Sequence, residues 1–390
     1  MTSMKRILAF SSLLFLAACA TTPPAPEPQP QPVVVLPAVP VKPARLIAPE
    51  NLRRELNDLY KAPYSDTQAV DVVYVTNRLA IGDAAECGDS SFGVDRSTLA
   101  SYGVCQISVP KRHGVGGFDV GPNRRADPHQ YYHVLSQTSM DEGSFKALLE
   151  SKKPTDVLVF VHGFNVKFQE AVLRSAQIAY DLKFQGPVVL FTWPAGASSG
   201  VFDSTLINRT YDANRKNAVD SIDRMAAFFR TLSSLDMTSH VIVHSMGHQV
   251  ALPALAKAAP SIPAPFIGEL ILNAPDIPVR RFQELTPALK GLAERITVYC
   301  SYNDNAIAAS ETYNKNRRMG ACENLPGVDV INVGEIDAPA LGIGGLGHGY
   351  YASRPILTDI YQVLLGVEAE RRLFIRKSEP NSTEDYYLRP

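Results

Sequence analysis

Short runs of β-branched and other apolar residues alternate along most of the chain with longer stretches whose apolar positions recur every three or four residues. The short runs match buried strands, and the longer stretches match helices with one apolar face. This alternation is typical of the α/β class, a mostly parallel sheet flanked by helices. It predicts eight strands, at residues 71–76, 104–109, 156–161, 187–192, 240–244, 269–273, 296–301 and 328–333.

Helical periodicity is clearest in four segments, residues 168–184, 214–235, 247–259 and 279–292. No helical pattern separates the first two strands, only a loop with glycine and serine, so these strands are predicted to pair as an antiparallel ribbon. From residue 50 onward there is neither an internal repeat nor a second shift in composition. Residues 50–390 are therefore predicted to form a single α/β domain.

The N-terminal segment departs from this pattern. Lys5 and Arg6 precede an apolar run at residues 7–18 that is shorter than the roughly 20 residues of a membrane span. Basic residues, a short apolar run and small residues before a cleavage point indicate a signal peptide, residues 1–18. The quartet LAAC that closes the run resembles the lipobox of bacterial lipoproteins, in which the cysteine, here Cys19, is lipidated and becomes the new N-terminus.

The residues after the predicted lipid anchor bear on localisation. Ala20 is not the aspartate that usually retains lipoproteins in the inner membrane, so we expect the outer membrane of a bacterial cell envelope, facing the periplasm. An ordinary secretory peptide cleaved near Ala20 is the alternative. Ten of the residues between 23 and 49 are proline, which predicts an extended linker at residues 19–49.

Charge argues against one class of partner. The chain has 38 Lys plus Arg and 39 Asp plus Glu, a net charge of −1. A protein that holds a phosphate backbone needs an excess of positive charge on its surface. Nucleic acid is therefore not an expected partner, whereas the lipid anchor predicts association with a membrane.

Cysteine usage fits an exported protein. Five cysteines minus the predicted lipidation site leave Cys87, Cys105, Cys300 and Cys322, an even number in a chain directed to an oxidising compartment. Pairing of 87 with 105 and of 300 with 322 is the simplest of the three possible connectivities. There is no Cys-x-x-Cys motif that would indicate a zinc ribbon or a redox centre.

One predicted strand runs directly into a tight turn that has a serine at its apex. The sequence VIVHSMG at residues 241–247, followed by small residues with helical periodicity, indicates a nucleophile elbow centred on Ser245. The usual pattern is G-x-S-x-G, and Val243 occupies the first glycine position, so the turn must open slightly. A serine that merely caps the following helix is the alternative.

A second buried strand, at residues 157–161, ends in His162 and Gly163 two strands before the serine. In this architecture the loop after that strand supplies the second donor of an oxyanion hole. The N–H groups of Phe164 and Met246 are therefore predicted to form the hole. His162 is interpreted as a structural residue of the loop, and an incidental turn is the alternative.

The base and the acid are predicted from their order along the chain. On such a sheet the catalytic order is serine, acid, histidine. Only His248 and His348 follow the serine, and His248 comes too early for an acid to intervene, so His348 is the candidate base. Asp304, two strands after the elbow, is the preferred acid. Asp276, one strand after it, is the alternative, and Asp337 is a third candidate.

Two other readings of nearby residues are disfavoured. The glycines before His348 spell G-x-G-x-x-G, but no strand leads into them and no helix with a following acid comes after, so no dinucleotide or other cofactor is expected. His244 and His248 have the spacing of metal ligands on a helix but lack the glutamate of H-E-x-x-H. No metal site is predicted.

Together these motifs resemble the α/β-hydrolase fold of the esterase/lipase superfamily, in particular a bacterial branch filed as a domain of unknown function. The resemblance covers about residues 70–355 and includes YVTNR at 74–78, HGFN at 162–165, TWP at 192–194, YD at 211–212, HSMG at 244–247, APD at 274–276, ND at 303–304 and GHGY at 347–350.

The resemblance implies a serine hydrolase that cleaves a carboxylic ester through a Ser-His-Asp triad and an acyl-enzyme. It leaves the acyl substrate unidentified, because this superfamily acts on many esters, thioesters and amides. A catalytically silent envelope lipoprotein that binds or scaffolds is the alternative, favoured by Val243. Residues 195–214 lie where such enzymes often carry a lid, although an inert connection fits equally well.

Overall fold

The computed structural model describes residues 68–82, 87–110, 112–121, 125–151, 154–197, 207–336 and 348–389. All of them belong to one compact unit. The predicted signal peptide, Cys19 and the proline-rich linker lie outside the described residues. So do Asp337 and the glycine-rich segment at 342–347.

Eleven strands within the described residues form one sheet. In chain order they are β1 (Gln68–Ala80), β2 (Phe92–Val109), β3 (His133–Met140), β4 (Asp156–Val161), β5 (Val188–Thr192), β6 (Thr238–His244), β7 (Ile267–Asn273), β8 (Ala293–Cys300), β9 (Asp329–Asn332), β10 (Ile375–Lys377) and β11 (Tyr386–Leu388).

Seven α-helices accompany these strands in the same described ranges. They are α1 (Glu142–Ser151), α2 (Phe168–Asp181), α3 (Ile207–Ser233), α4 (His248–Ala258), α5 (Val279–Leu292), α6 (Asn305–Asn314) and α7 (Arg354–Leu364). No helix among the described residues is both long enough and apolar enough to cross a membrane.

The strands lie in the spatial order β10-β11-β9-β8-β7-β6-β4-β5-β1-β2-β3. Neighbouring strands from β11 to β1 are parallel, whereas β2, β3 and β10 join antiparallel to their neighbours. The predicted class, a mostly parallel sheet flanked by helices, is therefore confirmed. The predicted antiparallel ribbon is also confirmed, with Val72 opposite Cys105.

The predicted number of eight strands is wrong. The pattern missed β3, which is polar and only half-buried, and also β10 and β11, which have three residues each. Such strands carry no continuous apolar run from which periodicity can be read. Each of them lies at or near one edge of the sheet, so the central strands that carry the predicted motifs are unaffected.

Apolar residues on alternate strand positions pack into two separate cores, one on each face of the sheet. On β4, for example, Val159 contributes to the core beneath α1, α3, α4 and α5, whereas Leu158 and Phe160 contribute to the core beneath α2 and α7. Because both faces are covered, the loops at the carboxyl ends of the strands remain the region where a crevice can form.

Two disulfides join strands to neighbouring loops. Cys87 is bonded to Cys105 and Cys300 to Cys322, with Cα–Cα distances of 5.9 and 5.2 Å. This is the connectivity between cysteines nearest in sequence. The second disulfide ties the end of β8, which precedes Asp304, to the turn at Met319–Ala321.

Candidate active site

Ser245 occupies the sharp turn between β6 and α4. Its backbone φ is 52°, in the left-handed region that costs energy for a residue with a side chain. The side chain of Val243 packs in the core below the turn, so a valine at the usual glycine position is compatible with the strained serine. The buried ring of His248 supports the turn from behind, since its Nδ1–H donates to the carbonyl oxygen of Ser245 at 2.7 Å.

Two glycines allow the loop after β4 to lie directly against this turn. A Cβ on Gly163 would lie 2.8 Å from the Cβ of Ser245, and a Cβ on Gly247 would lie 2.5 Å from the carbonyl oxygen of His162. Side chains at these positions would push the two segments apart. The glycines therefore hold the backbone of Phe164 close to the turn that begins with Ser245.

A continuous hydrogen-bonded chain joins the three residues predicted to form a triad. His348 Nε2 lies 2.6 Å from Ser245 Oγ, and His348 Nδ1 lies 2.7 Å from Asp304 Oδ2. The other oxygen of Asp304 accepts from the N–H groups of Ala306 and Ile307, both at 3.0 Å, and so caps α6. The carboxylate is therefore fixed by the helix that it begins, and it sets the orientation of the imidazole.

The environment of His348 favours its protonated form. Burial of the ring disfavours the imidazolium, but the charge and hydrogen bond of Asp304, with a further contribution from Asp276, outweigh that effect. The pKa of His348 is therefore raised above its ordinary value. A ring that binds a proton more strongly is a better general base.

Asp276, the alternative acid, is occupied by other partners. Its two carboxylate oxygens accept from Tyr211 Oη at 2.8 Å and Ser310 Oγ at 2.6 Å, and an ion pair joins it to Arg318 at 3.2 Å. Its own N–H donates to the carbonyl oxygen of Ser245 at 3.3 Å. Asp276 thus links three elements beside Ser245. The ring nitrogens of His348 are hydrogen-bonded to Asp304 and Ser245 rather than to Asp276.

Arg78 anchors the segments beneath the loop after β4. Its guanidinium is fully buried and donates to Thr192 Oγ1 at 2.9 Å, to the carbonyl oxygen of Ala195 at 2.8 Å and to that of Val166 at 2.8 Å. One side chain on β1 therefore holds the ends of two neighbouring loops. Arg78 lies in the YVTNR motif of the sequence, but only its contacts show that it holds these loops in place.

His162 has the structural environment that the sequence predicts. Its Nε2 lies 2.9 Å from Thr192 Oγ1, its ring stacks on Trp193, and the Trp193 Nε1–H donates to its carbonyl oxygen at 3.0 Å. Burial, aided by the nearby charge of Arg78, lowers the pKa of His162 to about 3. The ring is therefore neutral at physiological pH and stiffens the loop.

A cavity of about 540 Å³ opens above Ser245 and His348. One part of its wall is formed by Ile207, Asn208 and Tyr211, which belong to the first turns of α3, so residues 207–214 are helix rather than loop. Residues 198–206 of the predicted lid segment lie outside the described residues. Other cavity residues that the sequence did not indicate are Phe118, Glu170, Arg174, Ser310, Tyr313 and Tyr351.

Solved structures that match this chain share little sequence with it. A structure of FAE has 10% identity and a TM-score of 0.30, and the match covers 75% of this chain and 87% of that one. Phospholipase PlaB from Legionella pneumophila, solved in complex with thio-NAD, has 14% identity and a TM-score of 0.26, with 60% and 67% coverage. No curated protein sequence matches the chain.

A family model gives a match across more than half of the chain. The model describes an alpha/beta hydrolase of unknown function, DUF900, and it matches residues 137–368. This range contains the elbow at Ser245, the strands on both sides of it, Asp304 and His348. The chain belongs to the DUF900 family of alpha/beta hydrolases.

Proposed function

We propose that this alpha/beta hydrolase is a serine hydrolase that cleaves carboxylic esters through an acyl-enzyme intermediate. The observation that supports the proposal is the chain of hydrogen bonds from Asp304 through His348 to Ser245 at a cavity of about 540 Å³. A serine hydroxyl is a weak nucleophile until an adjacent base can take its proton. In this site the base is oriented and its protonated form is stabilised before substrate arrives.

In the proposed reaction, His348 Nε2 accepts the proton of Ser245 as Oγ attacks the acyl carbon. Asp304 stabilises the imidazolium that forms and holds Nδ1 as the donor. The imidazolium then gives its proton to the oxygen of the leaving alcohol as the ester C–O bond breaks. Water, deprotonated by the same imidazole, attacks the acyl-enzyme and releases the carboxylic acid and free Ser245.

The tetrahedral intermediate carries a negative oxygen that needs donors. We propose the N–H groups of Phe164 and Met246 for this role, because the loop of Phe164 lies against the turn of Ser245 through Gly163. Each such donor contributes on the order of 3 kcal/mol to stabilisation of the transition state. Arg78 and His162 would act indirectly, by holding the loop that positions Phe164.

A series of p-nitrophenyl esters with graded acyl length tests the proposed reaction. If an acyl-enzyme forms, the first turnover releases nitrophenol in a burst whose size matches the enzyme concentration whenever deacylation is slower than acylation. The proposal expects saturable hydrolysis of at least the shorter esters. A purified, folded protein that hydrolyses none of them would contradict it.

The raised pKa of His348 gives a pH prediction. Because the imidazole must be neutral to accept a proton, kcat/KM should fall as the pH is lowered through the pKa of the free enzyme. That midpoint should lie above about 6.5, the ordinary value for histidine. Measurement of kcat/KM from pH 5 to 9 checks this. A midpoint below about 6.5 would indicate that Asp304 does not stabilise the imidazolium.

We also propose that the protein is a lipoprotein of the bacterial cell envelope, anchored through Cys19. Replacement of Cys19 by serine should leave the protein unlipidated and move it from the membrane fraction to the soluble fraction. Cys87, Cys105, Cys300 and Cys322 should resist alkylation in the native protein until they are reduced. Membrane association that persists in the serine variant would contradict the anchor.

A further inference from the structure

Arg174 places a cationic side chain in the wall of the cavity that contains Ser245. It lies on α2, within one helical turn of Glu170, and both side chains line the cavity. The proposed chemistry at the serine uses neither of them. A charged group in a substrate cavity is costly unless it is paired or fulfils a role there.

The guanidinium of Arg174 is held in one orientation. Its Cζ lies 3.7 Å from the centre of the Phe118 ring, a cation–π contact, and its Nη1 donates to Gln177 Oε1 at 3.0 Å. Gln177 in turn donates to Asp181 Oδ2 at 2.6 Å, and Asp181 is fixed by His113 Nε2 at 2.6 Å. Buried neighbours thus fix the arginine in position before any ligand binds.

No carboxylate among the described residues lies within 4.0 Å of the Arg174 guanidinium. Glu170 is the nearest acidic residue along the helix, and burial raises its pKa despite the opposing effect of Arg174. Asp276, which also lines the cavity, is already paired with Arg318. Within the described ranges, Arg174 therefore interacts electrostatically with Glu170 but makes no ion pair at 4.0 Å or less.

Aromatic rings connect this cation to the nucleophile. The ring of Tyr351 lies 5.8 Å from Arg174 Cζ, and it stacks on His244 with 3.7 Å between ring centres. His244 immediately precedes Ser245. Arg174, Tyr351 and Ser245 line the same cavity, so a substrate whose ester lies at the serine can extend another group towards Arg174.

We infer that Arg174 is a specificity-determining residue that binds an anionic group, a carboxylate or phosphate, of the ester substrate. This inference rests on the proposed ester hydrolysis and adds the substrate class to it. The planar guanidinium offers two parallel N–H donors that match such an anion, which a lysine in the same place would not reproduce. Phe118 and Tyr351, which also line the cavity, contribute aromatic rings next to the guanidinium.

Matched pairs of esters test the inference in the full-length protein. In one pair the charge is on the acyl side. The mono-p-nitrophenyl ester of glutaric acid is compared with the same compound in which the free carboxylate is methylated. The other pair places the charge on the leaving group, 4-acetoxybenzoate against methyl 4-acetoxybenzoate. The readout is the ratio of kcat/KM for the anionic ester to that for its neutral partner, in wild type and in Arg174→Gln.

In at least one pair the ratio should fall about tenfold or more in Arg174→Gln, mainly through a higher KM for the anionic ester. Hydrolysis of the neutral ester should change by less than about threefold, because it makes no ion pair. Arg174→Lys should recover part of the ratio. Arg280→Gln, a matched change at an exposed position outside the cavity, should leave the ratio at its wild-type value.

A ratio that stays within about twofold of wild type in both pairs would overturn the inference. Equal losses for charged and neutral esters would also overturn it, since they would indicate a purely structural role. If Ser245 reacts with a fluorophosphonate but no pair shows charge dependence, only the inference about Arg174 fails. If neither labelling nor hydrolysis occurs, the proposed function fails with it.

Discussion

Replacement of Ser245 by alanine is expected to lower kcat for ester hydrolysis by about 10⁶, the loss typical of a triad nucleophile. The alanine lacks the oxygen that lies 2.6 Å from His348 Nε2, so the acyl carbon cannot be attacked and no acyl-enzyme can form. The fold should be kept, because alanine is smaller than serine and the left-handed φ of 52° costs it about as much as it costs serine. Initial rates on a p-nitrophenyl ester, with circular dichroism and Tm on the same samples, measure both effects.

Ser234→Ala is the matched control for this variant, because Ser234 is exposed at the end of α3 and does not line the cavity. Its kcat should stay within about twofold of wild type. If the Ser245→Ala protein instead retained most of its activity, another group would have to be the nucleophile. The hydrolase mechanism proposed above would then be wrong.

Asp304→Asn should lower kcat by up to about 10⁴ in a protein that still folds. An asparagine keeps an oxygen that can accept from Ala306 and Ile307, so the cap of α6 can be retained. Its amide then faces His348 Nδ1 with a donor instead of an acceptor, which stabilises the wrong tautomer. Without the carboxylate the pKa of His348 should also fall, so the acid limb of the pH profile should move to lower pH.

Asp276→Asn is the matched comparison, since it makes the same chemical change one strand earlier. It removes the charge that pairs with buried Arg318, and an unpaired buried cation costs about 3–5 kcal/mol of stability. We therefore expect a lower Tm but a kcat within about tenfold of wild type. Loss of turnover in a folded Asp276→Asn protein, with near-normal activity in Asp304→Asn, would assign the catalytic acid to the loop after β7.

Much of the fold could be predicted because its central strands are buried on both faces. The segments that become β4 to β8 are nearly continuous apolar runs, and the structure has them within three residues of the predicted bounds. The edge strand β3 has no such run, so the hydrophobic pattern could not indicate it. The start of α3 was also predicted seven residues late, because its first turns are polar and face the cavity.

The positions of Ser245, Asp304 and His348 followed from the order of elements along the chain. Ser245 and Asp304 come shortly after β6 and β8, and His348 comes after the last of the predicted strands, so their order does not depend on the total strand count. Arg174 and Tyr351 could not be found in this way. They lie on α2 and on the short turn at Tyr350–Ala352, and only the packing of these elements against the loop of Phe118 shows that they line the cavity.

Mass mapping of the residue labelled by a fluorophosphonate tests the central claim most directly, because the reagent reacts only with a serine that has been activated by a neighbouring base. The purified protein should gain a single phosphonyl group, and peptide sequencing should locate it on Ser245. His348→Gln should abolish the labelling while leaving the protein folded. A label on another residue, or labelling that persists without His348, would contradict the account, as would a folded wild-type protein that takes up none.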